Sequence, residues 1–148
     1  GAGMDNKIVE GANGQLHTNY EGKAQAAVDA LTKEGYDFVY IHVEAPDEMG
    51  HQGSVERKVQ AIEYLDERII RYVKEAMDAS GEDYRMLVLP DHPTPIEVRT
   101  HTSEPVPYLL YDSTQKQDND WQYSEKCAAD GGIFHPQGHK LIDYLFSR

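Results

Sequence analysis

The sequence has one cysteine, no excess of positive charge and no long apolar run, and each absence excludes a class of protein. Cys127 has no partner within the chain, so an intrachain disulfide is excluded and a reducing cytoplasm is the expected location. Lys and Arg number 14 against 26 Asp and Glu, giving a formal net charge of −12. Because no basic patch is present, we expect neither a nucleic-acid partner nor an anionic membrane surface. No membrane span or signal-peptide pattern is seen, so no membrane segment is expected.

The composition that remains is that of a small acidic globular domain. The chain has 148 residues, enough for one core, and 39% of them are apolar, which predicts an ordinary core under a well-hydrated surface. The acidity does not exclude an anionic substrate, because bound divalent cations reverse the sign of the local field. Residues 1–4 are expected to be in part an expression remnant, so the interpretation of the fold covers residues 5–148.

Apolar periodicity predicts helices alternating with strands. The first predicted helix begins at a capping box in residues 18–21 and ends at about Lys33. The second extends from Val55 to Ala76, with a stop at Ser80 and Gly81. Two shorter helices are predicted near residues 124–129 and 137–146. The predicted strands are residues 37–43, 85–89 and 105–112, and residues 113–123 are predicted to be a loop. The first strand is almost continuously apolar, as in a central strand covered on both faces. The alternation favours an α/β fold with a largely parallel sheet, and three strands make a small one, so we expect part of a larger domain.

Asp and His residues adjoin all three predicted strands. Asp47 and His51 lie four residues apart just beyond the first strand, Asp91 and His92 directly follow the second, and His101 precedes the third. Functional groups collect beyond the carboxyl ends of strands in open α/β sheets. Carboxylate and imidazole together suit Mn²⁺, Zn²⁺, Fe²⁺ or Mg²⁺. Five such ligands exceed what one tetrahedral ion needs, which indicates two metals.

Each of these side chains also has a plainer interpretation. Asp47 can cap a helix, Asp91 before His-Pro-Thr-Pro is good turn chemistry, and His101 can be a loop histidine. Those separate explanations account less well for ligand-type side chains in three strand-adjacent loops. The other histidines are interpreted as structural. His17 lacks a ligand pattern, His42 is expected to be packed or hydrogen-bonded in the core, and His135 and His139 are expected at the surface or at a cap.

Four motifs occur in a specific combination and order, at residues 18–23, 42–51, 90–95 and 101–107. Together they resemble those of the cofactor-independent phosphoglycerate mutases of the archaeal type, in the metal-dependent alkaline phosphatase superfamily. The resemblance runs from about Ile8 to the C-terminus. It implies an alkaline-phosphatase-like three-layer α/β/α sandwich with a mostly parallel sheet, of which this chain would be the C-terminal part.

The resemblance also implies a site and a reaction. It assigns Asp47, His51 and His101 to one divalent metal ion, Asp91 and His92 to a second, and a phosphoryl-steadying catalytic role to Lys23. The two ions would be Mn²⁺, Zn²⁺ or Mg²⁺. In this glycolytic family a serine takes the phosphoryl group of a phosphoglycerate and returns it to the other hydroxyl, which interconverts 3- and 2-phosphoglycerate. That serine and a further aspartate ligand lie N-terminal to the motifs found here, so the isolated chain is expected to be inactive.

Other functions remain open on the same residues. The metal ligands alone do not separate a mutase from a metal-dependent phosphatase or phosphonate hydrolase. A non-catalytic acidic α/β domain that binds only a partner or an ion is the further alternative. Arg85 and Arg99 are expected to be structural or surface residues rather than substrate ligands. A truncated catalytic domain would expose an apolar face or a sheet edge, so self-association is also expected.

Overall fold

The structure, a computed structural model, describes residues 2–115 and 119–147. The chain divides into two compact units, the first comprising residues 1–81 and 94–100 and the second comprising residues 82–93 and 101–148. Within the described ranges, no helix combines the length and the apolar character needed to cross a membrane.

Helix α1 of the first unit spans Tyr20–Thr32 and confirms the first predicted helix, with its cap one residue later than predicted. The side chain of Asn19, not Thr18, caps it by accepting a 2.9 Å hydrogen bond from the Gly22 amide. The Thr18 hydroxyl is already engaged, since it accepts from the Asn13 amide at 2.8 Å. The preceding loop therefore takes the hydroxyl that the capping-box pattern would assign to the helix.

Three further helices complete the first unit. Helix α2 spans Ala45–His51, α3 spans Val55–Leu65 and α4 spans Arg71–Ser80, and a π-helical turn at Asp66–Ile70 joins α3 to α4. The long helix predicted from Val55 is thus confirmed. It ends at Gly81, whose φ of 75° is a left-handed conformation that suits glycine. Helix α1 packs against α4 and the π turn, and α2 packs against α3.

The predicted apolar face of the long helix is not continuously buried. Val73 and Met77 of α4 lie in the core, whereas Val55 and Ile62 of α3 are 62% and 50% exposed. A π turn inserts one extra residue, which rotates everything after it by about 100° relative to a regular helix. The apolar residues that periodicity places on one face of the long helix therefore lie on two different faces, one before the π turn and one after it. The buried apolar residues of the first unit are Leu16, Tyr20, Ala24, Ala27, Val28, Ala30, Ala45, Met49, Ala61, Ile69, Val73 and Met77.

The prediction of a buried central strand at residues 37–43 is wrong for the structure as described. This segment joins no β-ladder among the described residues, and Tyr40 within it is 62% exposed. His42, expected in the core, is exposed as well; its ring stacks on that of Tyr40 with centroids 6.0 Å apart, and its Nδ1 lies 3.4 Å from the tyrosine hydroxyl. An apolar run favours a strand, but a ladder also requires neighbouring strands to accept and donate its hydrogen bonds.

The second unit contains a two-stranded sheet. Strand β1 spans Arg85–Val88 and strand β2 spans Leu109–Asp112. They pair antiparallel, with Arg85 opposite Asp112. This is the one ladder within the described residues, and it contains no parallel pair of the kind that the sequence predicts. Strand β2 begins later than predicted, after Pro105 and Pro107, because proline has no N–H to give to a ladder. The described residues contain both helices and strands, which confirms the predicted α/β class.

Two helical segments follow β2 and confirm the predicted C-terminal helices. Helix α5 spans Glu125–Asp130 and is capped by the Ser124 hydroxyl, and a 3₁₀ turn at Gly138–Lys140 leads into α6, Leu141–Phe146. Helix α6 packs against β1 and buries Leu141. Of the predicted loop at residues 113–123, the described parts, 113–115 and 119–123, contain no helix or strand, and residues 116–118 lie outside the described ranges. His135 packs between the rings of Tyr108 and Tyr144.

An ion pair at the paired ends of the two strands should make the stability of the second unit depend on pH. Asp112 accepts hydrogen bonds from the Thr114 hydroxyl at 2.5 Å and from Arg85 Nε at 2.7 Å. These two groups lower the pKa of Asp112 from its ordinary value to about 2. The unfolded carboxyl titrates near ~3.9 and binds protons more readily. The stabilisation is therefore complete above about pH 4 and disappears as the pH falls towards about 2.

We expect Asp112→Asn to remove this acid-sensitive part of the free energy of unfolding. Urea unfolding followed by circular dichroism between pH 5 and pH 2 should show a shallower pH dependence for the variant than for the unmodified chain. The control variant is Asp130→Asn, because Asp130 is exposed and pairs with Lys126 on α5. Equal pH slopes for the Asp112 variant and the unmodified chain would contradict the prediction.

Candidate metal centre

Helix α2 holds Asp47 and His51 on one of its sides. Pro46 lies in the first turn, where its missing N–H has no intrahelical partner to lose, and the buried side chains of Ala45 and Met49 anchor the helix to the core. Residues four apart are neighbours on a helix surface, and His51 Nε2 lies 3.3 Å from Asp47 Oδ2. The capping interpretation of Asp47 is wrong, because the N-cap residue is Glu44 and Asp47 is inside the helix.

The ring of His51 is oriented by a backbone carbonyl. His51 Nδ1 lies 2.9 Å from the carbonyl oxygen of Arg99. A carbonyl only accepts, so Nδ1 is the donor in this contact, and Nε2 is the ring nitrogen that faces Asp47. An imidazole nitrogen and a carboxylate oxygen repel at 3.3 Å unless a positive charge lies with them, either a second proton on the ring or a cation. A histidine held through its other nitrogen by a carbonyl is the usual arrangement around protein-bound metals.

The carboxylate of Asp47 is oriented by a threonine. The Thr94 hydroxyl donates to Asp47 Oδ1, and Thr94 is only 4% exposed. Lys58 Nζ of α3 in turn donates to the Thr94 carbonyl at 2.6 Å. This approach depends on Gly50 of α2, because a Cβ there would lie 2.6 Å from the Thr94 carbonyl oxygen.

The segment Thr94–Thr100 is a turn with both of its ends against α2. The Pro95 carbonyl accepts from the amides of Val98 and Arg99, at 3.1 and 2.8 Å. Arg99 has a φ of 57°, an uncommon value for a residue with a side chain. Its guanidinium covers Gly53, where a Cβ would lie 2.4 Å from Arg99 Nε. Arg99 therefore packs on Gly53, and Arg85 forms an ion pair with Asp112; that neither arginine binds substrate stays a prediction.

The second unit brings together the other three predicted ligands. The rings of His92 and His101 stack with centroids 3.6 Å apart and an interplanar angle of 28°. His92 Nε2 lies 3.5 Å from Asp91 Oδ2. The Thr102 amide donates to the Pro93 carbonyl at 3.1 Å, which ties the chain beside His101 to the chain after His92.

Lys23, the predicted catalytic residue, connects two of the sequence motifs. It projects from α1, and its Nζ donates a 2.6 Å hydrogen bond to the carbonyl of His42. Because a lysine ammonium has three protons, this bond leaves two for other acceptors. The contact holds a positive charge beside the segment that leads into α2.

Sequence reasoning missed the residues that orient Asp47 and His51. Thr94 lies in the motif at residues 90–95, but its spacing from Asp47 carries no signal. Lys58 has the charge that helical periodicity predicts for an outward-facing residue, so the pattern gives no sign of its contact with Thr94. The carbonyl of Arg99 has no sequence signature, since any residue supplies one.

Comparison with known proteins shows the family of this chain. The family model described as "Metalloenzyme superfamily" matches residues 2–145. This chain belongs to the metalloenzyme superfamily. A member of that superfamily is expected to depend on metal, which agrees with the paired donors on α2.

Curated relatives of this metalloenzyme-superfamily chain are mutases by name. It is 45% identical over 145 residues to a 2,3-bisphosphoglycerate-independent phosphoglycerate mutase of Methanosarcina mazei, with 97% of this chain and 36% of the relative covered. It is 44% identical over 148 residues to a probable mutase of the same name from Geobacter sulfurreducens, with 99% and 36% covered. The chain therefore spans about 36% of the length of the curated relatives it matches.

A solved structure has the same fold over most of the chain. The PH0037 protein of Pyrococcus horikoshii superposes with a TM-score of 0.82 at 31% identity, covering 97% of this chain and 42% of that one. The segment shared with this metalloenzyme-superfamily chain is thus again less than half of the longer protein.

Proposed function

We propose that this chain is the metal-binding part of a 2,3-bisphosphoglycerate-independent phosphoglycerate mutase, which interconverts 3- and 2-phosphoglycerate through a phosphoserine enzyme. The observation that carries the proposal is the Asp47–His51 pair, in which a carbonyl-held imidazole presents Nε2 to a carboxylate 3.3 Å away. The names and identities of the relatives support the choice of reaction.

We assign Asp47, His51 and His101 to one divalent cation and Asp91 and His92 to a second, each Mn²⁺, Zn²⁺ or Mg²⁺. Two features support the first set. His51 and Asp47 are each oriented by a hydrogen bond from or to the segment Thr94–Thr100, as metal ligands usually are. His101 is two residues along the chain from Arg99, the residue whose carbonyl contacts His51, and two residues span at most about 7 Å.

The side chains proposed here have separate roles in phosphoryl transfer. The bound cations would supply neutralising charge for the transferred group and for the attacking oxygen. Lys23 would donate hydrogen bonds from its ammonium to the phosphoryl oxygens, while its bond to the His42 carbonyl fixes its position. We propose that the nucleophilic serine belongs to the part of the mutase that this chain does not cover, and none of the serines here is assigned to it.

We further propose that the complete catalytic domain is a three-layer α/β/α sandwich with a mostly parallel sheet. The TM-score of 0.82 against a longer protein supports a shared fold at the level of the matched segment.

The test is an assay of the full-length protein with 3-phosphoglycerate and added Mn²⁺. We expect formation of 2-phosphoglycerate without release of inorganic phosphate, and the two products are measured in the same reaction. Release of phosphate instead would identify a metal-dependent phosphatase or phosphonate hydrolase. Metal binding with neither product would favour the non-catalytic binding domain. Lys23→Met in the full-length protein should lower the rate at least about a hundredfold, as loss of a group that binds transition-state charge does.

A further inference from the structure

We propose that Lys58 and Thr94 are positioning residues for Asp47, with Lys58 fixing the backbone of Thr94 and Thr94 fixing the carboxylate. The inference rests on the proposed function, since it takes Asp47 to be a metal ligand. It adds two residues that neither touch the cation nor carry a recognisable ligand motif.

The contacts form one chain from helix α3 to helix α2. Lys58 Nζ donates to the carbonyl oxygen of Thr94 at 2.6 Å, and the hydroxyl of the same residue donates to Asp47 Oδ1. Thr94 is 4% exposed, so water competes little for its polar atoms. A hydrogen bond with an ionised partner is stronger than one between neutral groups. The ionised partner is the Lys58 ammonium in the first bond and the Asp47 carboxylate in the second.

The geometry leaves Asp47 Oδ2 facing the ring of His51. Since Oδ1 accepts from the threonine, the carboxylate cannot rotate freely, and its other oxygen lies 3.3 Å from His51 Nε2. The far end of the same segment holds His51, through the carbonyl of Arg99. Lys58 therefore fixes a turn whose two ends orient both donor atoms of α2.

The backbone of α2 is adapted to this arrangement. Gly50 lies between the two ligands in the sequence, and a Cβ there would lie 2.6 Å from the Thr94 carbonyl and 3.0 Å from Lys58 Nζ. The lysine and the carbonyl thus occupy the space that any other residue would fill. Close contact at this point is what an orienting role requires and what a solvated surface lysine does not need.

The test is a titration of this chain with Co²⁺, followed by calorimetry for affinity and by visible absorption for the coordination of the ion. Thr94→Val keeps the shape of the side chain and removes the hydroxyl, and Lys58→Met keeps the length and removes the ammonium. We expect each to weaken Co²⁺ binding about tenfold and to change the absorption spectrum, the lower end of the range for loss of a group that orients a ligand. Thr94→Ser and Lys58→Arg, which retain a donor, should restore most of the affinity and the original spectrum.

Two controls separate this inference from the function on which it rests. Lys74→Met removes a lysine that pairs with Asp78 on the surface of α4 and should leave Co²⁺ binding unchanged. Asp47→Ala tests the site itself. If Asp47→Ala abolishes binding while Thr94→Val and Lys58→Met bind as the unmodified chain does, the positioning roles are wrong and the metal site stands. If Asp47→Ala binds normally, both proposals fail.

A purely structural role predicts a different pattern. The temperature of thermal unfolding of the metal-free variants would then fall, while the spectrum of the bound ion would not change. Thr94→Ser would bind Co²⁺ no more tightly than Thr94→Val. That pattern would overturn the inference. If Thr94→Val does not fold, the comparison of Lys58→Met with Lys58→Arg decides the question by the same two measurements.

Discussion

Asp47→Ala is expected to lower the affinity of the chain for Mn²⁺ by at least about a hundredfold, since loss of a group that merely orients a ligand already costs about 10- to 100-fold. The substitution removes one of the two donors that α2 holds 3.3 Å apart. His51→Ala should have an effect of similar size, because it removes Nε2, the donor atom of a ring that the Arg99 carbonyl orients through Nδ1. Isothermal titration of the purified chain with Mn²⁺ measures both.

The matched control for this experiment is Asp78→Ala. Asp78 is also an acidic helical residue with a basic partner four residues away, Lys74, so its removal changes the net charge by the same amount. It should leave the affinity for Mn²⁺ unchanged, which shows that loss of one negative charge from an acidic chain is not the cause. Undiminished binding by Asp47→Ala would mean that the cation, if any, is held elsewhere.

The sequence predicts helices here better than strands, for a physical reason. A helix satisfies its backbone hydrogen bonds within itself, so the periodicity from Val55 onward and the stop at Gly81 are sufficient to locate it. A strand needs partners that its own residues do not specify, and residues 37–43 have the apolar pattern without a ladder among the described residues. The π turn at Asp66–Ile70 is likewise invisible to periodicity and alters which side chains are buried.

For the site, ligand-type residues could be recognised but their supporting contacts could not. Asp47 and His51 are identified by chemistry and by a spacing that a helix converts into proximity. Thr94 reaches Asp47 across 47 positions, and a threonine hydroxyl in a turn motif has many plainer uses. The stacking of His92 on His101 also depends on the path of the chain between them, which local patterns do not determine.

Gly50→Ala should destabilise the first unit by about 1–3 kcal/mol, the usual cost of inserting a methyl group into a tightly packed site. This sign is opposite to the one expected from helix propensity alone, which favours alanine over glycine within a helix by about 0.5–1 kcal/mol. The added Cβ would lie 2.6 Å from a backbone oxygen, that of Thr94, which cannot rotate away as a flexible side chain can. The turn must shift instead, and its hydroxyl contact with Asp47 shifts with it.

The same variant should therefore lose affinity for Mn²⁺ along with stability, and urea unfolding and titration calorimetry measure the two effects. Gly138→Ala is the control, because nothing lies within 4 Å of a Cβ added there, so this methyl group meets only open space. A Gly50→Ala chain as stable as the control variant would show that α2 and the Thr94 turn are not in close contact in solution. With that contact absent, Thr94 would no longer fix the carboxylate of Asp47, and the orientation of the proposed ligands would need another source.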